Sequence, residues 1–145
     1  MQRIILKPCS EQDLGLLAIF NKQLIEDEQH ENPMNIDQLK ERMEDFLHTD
    51  YKAYFFTMDG LIIGYALVNT NRAPNYLRQF FILREHRRKG CGRESFHELM
   101  RCLNTDAIDI EVLSWNLTGR KFWESMGFNE RSIYMRYNRE DCSST

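Results

Sequence analysis

The spacing of apolar residues changes several times along the chain, and each change marks an element. Arg3–Leu6 reads as a first strand, stopped by Pro8. Ser10-Glu11-Gln12-Asp13 resembles a capping box, and Leu14, Leu17, Phe20 and Leu24 follow it at helical spacing. This helix runs into Glu26-Asp27-Glu28-Gln29-His30-Glu31 and breaks near Pro33. Asn35 and Gln38 cap a second helix that turns Ile36, Leu39, Met43 and Phe46 inward. The period then shortens. Ala53–Thr57 and Leu61–Asn69, rich in aromatic and β-branched residues, flank Asp59-Gly60, the strongest short hairpin signal. A loop over Asn71–Asn75, containing Pro74, leads into a strand over Tyr76–Leu83.

The stretch Gln79–Met100 organises the second half of the chain. Its apolar opening (Phe80, Phe81, Ile82, Leu83) passes through a basic segment and turns at Gly90 and Gly92. Phe96, Leu99, Met100 and Leu103 then fall at i, i+3, i+4 and i+7, one buried helical face. A strand that turns through glycines into a helix forms an anion cradle. Turn amides and the positive end of the helix dipole converge on one point, and glycine lets the backbone approach closely. Beyond it, Ala107–Leu113 reads as a strand and Asn116–Met126 as a short helix ended by Gly127. Phe128 leads to a last strand over Ser132–Tyr137, and the polar tail 139–145 is expected to fray. The order β-α-α-β-β-β-α-β-α-β predicts a single mixed α/β (α+β) domain over 1–145, layered around one sheet.

Composition narrows the function classes. A content of 42% hydrophobic and 28% charged residues describes a soluble globular chain, and no apolar run approaches the roughly 20 residues that span a bilayer. The N-terminal segment has no signal-peptide core, and Cys9, Cys91, Cys102 and Cys142 fit neither zinc-ligand spacing nor a disulfide framework. Reduced thiols in a cytoplasm are expected, with no membrane association and no metal. Five Arg/Lys lie between Arg84 and Arg93 in a chain of net charge −3. A basic island on an acidic protein suits a compact anionic ligand better than a nucleic-acid track.

Two motifs carry a family resemblance. Arg87, Gly90 and Gly92 match R/Q-x-x-G-x-G/A, which resembles the pyrophosphate loop of the GNAT N-acetyltransferases. Asn116-x-x-Gly119-x-x-Phe122-Trp123-x-x-x-Gly127-Phe128 resembles a second segment of that family, at the expected place after the next strand. The resemblance implies a GNAT fold: a mixed, largely antiparallel sheet of six to seven strands flanked by about four helices. It also implies acetyl-CoA as co-substrate. Amides of Arg87, Arg88, Lys89, Gly90, Cys91 and Gly92 would hold the pyrophosphate, with Arg88 or Lys89 adding charge. The backbone of Phe80, Phe81 and Ile82 would pair with the pantetheine arm, and Asn116 would hydrogen-bond it. Cys91 is read as packing.

The implied reaction is attack of a primary amine, of a small molecule or a peptide, on the thioester in a ternary complex. An alkylamine has a pKa near ~10.4, so only about one molecule in a thousand is nucleophilic at neutral pH and a base is needed. Many relatives carry a carboxylate on the strand before the pyrophosphate loop, but here that strand offers Gln79. Glu111, five residues before the motif Asn, resembles the Glu of ribosomal-protein alanine N-acetyltransferases and is the candidate base. Trp123 departs from the pattern, since relatives with a general acid place a Tyr there. An indole does not give up its proton, although a thiol of pKa near ~8.5 can leave as thiolate. An alternative class is a non-catalytic acyl-CoA-binding module. Glu26, Asp27, Glu28 and Glu31 would draw a cationic amine to the acceptor site. A homodimer is a further expectation, because some relatives pair through their C-terminal strands.

Overall fold

A computed structural model describes residues 3–140. The chain runs β1 (Ile4–Pro8), a 3-10 turn (Glu11–Asp13), α1 (Leu14–Asp27), α2 (Ile36–Leu47), β2 (Tyr51–Met58), β3 (Leu61–Asn69) and β4 (Asn75–Ile82). A second 3-10 turn (Arg84–His86), α3 (Cys91–Leu103), β5 (Ile108–Ile110) and α4 (Leu117–Ser125) complete it. The strands lie in one sheet in the order β1-β2-β3-β4-β5, antiparallel except for the parallel β4–β5 pair. None of the helices is long and apolar enough to cross a membrane among the described residues.

Local chemistry accounts for the boundaries. Asn35 caps α2 in a reciprocal box: its Oδ1 accepts from Gln38 N–H at 2.9 Å, and Gln38 Oε1 accepts from Asn35 N–H at 2.9 Å. At the β2–β3 hairpin, Asp59 and Gly60 both have positive φ (53° and 79°), matching the twist of a two-residue turn. Helices cover both faces of the sheet, so neighbouring strand residues are buried on opposite sides. Phe55, Tyr65, Leu67 and Phe81 pack against Leu17, Phe20 and Leu24 of α1 and Met43 of α2. Phe56, Ile63, Val68, Leu77 and Ile82 pack against Phe96 and Leu99 of α3. This two-sided burial explains why β2 to β4 read as nearly unbroken apolar runs. Gly64 is required by close approach, because a Cβ there would lie 2.0 Å from the Phe81 carbonyl oxygen.

Three expectations need correction. β1 runs on to Pro8, which is tolerated because β1 is an edge strand and needs no donor on its open side. β5 holds three residues, not the span Ala107–Leu113, because its pairing with β4 stops at Leu77↔Ile110. The sheet has five strands, not six or seven. Ser132–Tyr137 forms no strand, and its side chains lie in solvent, with Ile133, Tyr134, Met135 and Tyr137 each at least 75% exposed. The tail expected to fray lies outside the described residues beyond position 140.

Candidate active site

The site begins where β4 and β5 part. Asn75, Tyr76 and Leu77 pair with Ile108, Asp109 and Ile110, after which β4 continues to Ile82 with no strand partner on that side among the described residues. Leu83 N–H donates to the Ile63 carbonyl at 2.7 Å. Strand alternation therefore turns the peptide groups of Phe81 toward β3 and those of Phe80 and Ile82 toward the open gap. A wedge of unpaired strand backbone results, suited to an extended amide-bearing ligand. Two shallow hollows lie elsewhere, one at Tyr54, Asn75 and Asn104 and one at Ile4, Leu6 and Arg101. Neither opens onto the wedge.

At the C-terminal end of β4 the chain makes the glycine turn. Arg88 (φ 63°) and Gly90 (φ 79°) are both left-handed, and Gly90 is the N-cap of α3. The first α3 amides therefore point back toward the end of the strand. Gly92 is held by packing, since a Cβ there would lie 3.3 Å from the Phe122 ring. Arg88, Lys89 and Gly90 are exposed, while Cys91 is buried in the α3-side core.

Arg87 is a structural clamp. Its Nε donates to the Ile82 carbonyl at 2.7 Å and its Nη2 to Asp27 Oδ2 at 2.5 Å, and its guanidinium lies 5.4 Å from the Phe81 ring centre. Asp27 Oδ1 also accepts from Arg84 at 2.7 Å. Burial pushes the Asp27 carboxyl up, but the hydrogen bonds and charges of Arg87 and Arg84 more than offset this and hold it below the usual range. The end of α1 is thereby tied to the loop. Asp27, expected to draw an acceptor, is engaged in this clamp instead.

The other sequence-named residues separate. Asn116 caps α4, its Oδ1 accepting from Gly119 N–H at 3.1 Å, and is half-buried. Glu111 lies just past β5, exposed, and its charge contributes to raising the Tyr76 phenol, behind the larger effect of burial. Trp123 packs edge-on against Phe80, Phe96, Phe122 and Phe128 at centroid distances of 5.1, 5.5, 4.8 and 5.2 Å. It fills the space under the unpaired half of β4.

Sequence reasoning missed a polar cluster on the α1–α2 face of the wedge. The buried Tyr65 hydroxyl donates to Gln79 Oε1 at 2.7 Å. Glu28, at the end of α1, is half-buried; burial, and behind it the Asp27 charge, push its carboxyl up to about 7. Burial raises the Tyr65 phenol well above its ordinary range, with Glu28 adding to the rise and Arg42 opposing it. Trp115 Nε1 donates to the Gln29 carbonyl at 3.3 Å, bridging the β5–α4 connection to α1. Only the packing of α1 onto β3 and β4 brings the Glu28 charge to Tyr65, a juxtaposition that no sequence signal marks. Among the described residues, no group of three or more His, Cys, Asp or Glu side chains could hold a metal ion.

A family model described as "Acetyltransferase (GNAT) domain" matches residues 6–138. No curated protein matches the chain. Several solved structures are similar at low identity, which shows the shared fold. A possible acetyltransferase from Clostridium difficile 630 is 19% identical, with a TM-score of 0.74 over 94% of this chain and 97% of that one. Aminoglycoside N-acetyltransferase AAC(6')-Iy, in complex with CoA, is 16% identical, with a TM-score of 0.74 over 96% of each chain. A predicted acetyltransferase with acetyl-CoA from Clostridium acetobutylicum is 15% identical, with a TM-score of 0.71 over 95% of this chain and 97% of that one.

Proposed function

The chain belongs to the GNAT family of acetyltransferases, and from that premise we propose that it moves the acetyl group of acetyl-CoA to a primary amine of a small molecule or peptide. The observation that carries this reading is the parting of β4 from β5 directly before the glycine turn. Acetyl-CoA fits that geometry. Amides of Arg87 to Gly92 and the exposed charges of Arg88 and Lys89 meet the pyrophosphate. The Phe80 peptide groups and the Ile82 N–H pair with the pantetheine amides as a strand would, with Phe81 anchoring β4 from behind and the Asn116 amide reaching the arm. The Phe80 N–H then polarises the thioester carbonyl and stabilises its oxyanion.

The acceptor amine attacks the carbonyl carbon, the tetrahedral intermediate collapses with cleavage of the C–S bond, and CoA leaves as thiolate. The amine proton passes to Glu111, directly or through water. A second carboxylate is favoured by a specific observation. Burial pushes the Glu28 carboxyl up to about 7, and its charge is felt at the Tyr65 hydroxyl that bonds Gln79, so it would take a proton at physiological pH. Structural neighbours solved with CoA or acetyl-CoA support the co-substrate. The unpaired thiols of Cys9, Cys91 and Cys102 support a cytoplasmic setting. The working unit is proposed to be a homodimer joined through residues 130–138.

The test is thermal stabilisation by CoA followed by thiol release from acetyl-CoA across an amine panel. Stabilisation and saturable release with at least one amine are expected, with release reduced at least 10-fold in Glu111→Gln if Glu111 is the base, or in Glu28→Gln if Glu28 is. Stabilisation without turnover by any amine would instead describe a binding module. No stabilisation would remove the reading altogether.

A further inference from the structure

Two arginines stand on the α1–α2 side of the sheet without counter-ions among the described residues. Arg42, on α2, and Arg78, on β4, face the same Phe46 ring, at 5.4 and 4.8 Å from its centre. Arg42 Nη2 donates to the Asn21 amide oxygen at 3.1 Å, but its buried Nε has no partner. Besides the Phe46 ring, Arg78 reaches the Tyr51 hydroxyl, at 3.4 Å, and the Tyr51 ring. Neither enters an ion pair among the described residues, although α2 carries four carboxylates. Burial, and behind it the charge of Arg78, lower the Arg42 guanidinium below its ordinary range. Ring contacts soften such a charge pair but do not neutralise it. A half-buried guanidinium with a donor left over, beside a second, exposed one, is suited to receive an anion.

The cofactor is not that anion. Its charged groups belong at the glycine turn past Ile82, whereas Arg78 lies four residues back along β4, roughly 13 Å away at ~3.3 Å per residue. The pantetheine arm between them is neutral. What remains is the acceptor, which approaches Gln79 from the α1–α2 face. There the Tyr65 hydroxyl, which donates to Gln79, feels the charges of both Glu28 and Arg42.

We propose that Arg42 and Arg78 form an anion subsite in the acceptor site, so that the amine acetylated here also bears a carboxylate, as a free amino acid does. The proposal rests on the acetyltransferase reading. The carboxylate meets the two guanidinium groups while the amine lies toward Glu28 and the thioester. Asp27 supports the same polarity, because its charge is already neutralised by Arg84 and Arg87.

The experiment is calorimetric titration of the CoA-saturated protein with the standard α-amino acids, with their carboxamides, which keep the amine and lose the carboxylate, and with spermidine. At least one amino acid should bind 10-fold or more tightly than its amide. That preference should fall at least 10-fold in Arg78→Gln, an exposed position whose change spares the fold, and in Arg42→Gln, with CoA affinity unchanged. Three outcomes overturn the proposal: amides that bind as well as acids, a preference that survives both substitutions, or spermidine binding that exceeds any amino acid and rises in Arg78→Gln. Failure of CoA to bind would sink the acetyltransferase reading instead. The amino-acid and amide titrations, repeated without CoA, would still read the subsite.

Discussion

Glu28 shows how one side chain couples stability to chemistry. Its carboxyl is raised from an ordinary value of 4.5 to about 7, so the folded state holds a proton that the unfolded chain has released. Between these values the unfolded state binds fewer protons, and stability falls as pH rises. A full shift of this size corresponds to about 3 kcal/mol, and partial exposure reduces it to roughly 1–2 kcal/mol. Glu28→Gln, which mimics the protonated form, should raise the melting temperature at pH 8 by a few degrees. The gain should shrink as pH falls and vanish below about pH 4.5. A gain that stays constant with pH would show that the carboxyl titrates normally. Scanning calorimetry of both proteins across that range decides it. If Glu28 is also the base, the same substitution removes the limb of the rate profile near pH 7 while the melting temperature rises, a pairing that a merely structural residue would not produce.

At the scale of elements, local signals and tertiary ones part company. The α2 capping box, the Asp59-Gly60 hairpin and the glycine turn are legible because each is written in a few neighbouring residues. The length of β5 is not, because the residues after Ile110 are apolar enough for a strand, and only their divergence from β4 denies them a partner. That divergence opens the candidate site. Arg87 illustrates the same division: its motif position is visible, but its clamp on Asp27, sixty residues away, exists only once α1 lies across β4. The clamp should govern the loop. Asp27→Asn should weaken CoA binding by about 3- to 10-fold, since Arg84 and Arg87 lose the anion that holds the turn in register. Wild-type affinity should show a matching acid-side decline as Asp27 protonates, below the usual carboxylate range because the two arginines depress it. Isothermal titration with CoA at several pH values measures both. An unchanged affinity in Asp27→Asn would mean that the glycine turn holds its shape alone.

For the whole molecule, the decisive feature is the segment after α4. Phe128 is fixed in the core, 5.2 Å from Trp123 and 5.5 Å from Phe96, and Gly127 turns the chain with φ 99°. Residues 130–138 are then exposed throughout, although their alternation of Ile133, Met135 and Tyr137 with Tyr134 and Arg136 is that of a strand. The pattern marks a strand-forming stretch but does not say which sheet would take it. β5 forms the opposite edge of the sheet from β1, and its outer side has no partner among the described residues. One chain thus presents both an unfilled edge and a strand-like segment without a sheet, and a two-fold exchange between copies satisfies both at once. Burying four large apolar side chains contributes roughly 1.5–3 kcal/mol each, or about 12–24 kcal/mol for two chains. Association costs roughly 4–15 kcal/mol, which most of that range exceeds, so a dimer is expected. Sedimentation velocity should find a dimer for the full chain and a monomer when Ile133 and Met135 are both changed to Asp, with CoA still bound by each. A wild-type chain that stays monomeric at tens of micromolar would refute the exchange. The β5 edge would then have to be closed by something other than a second copy.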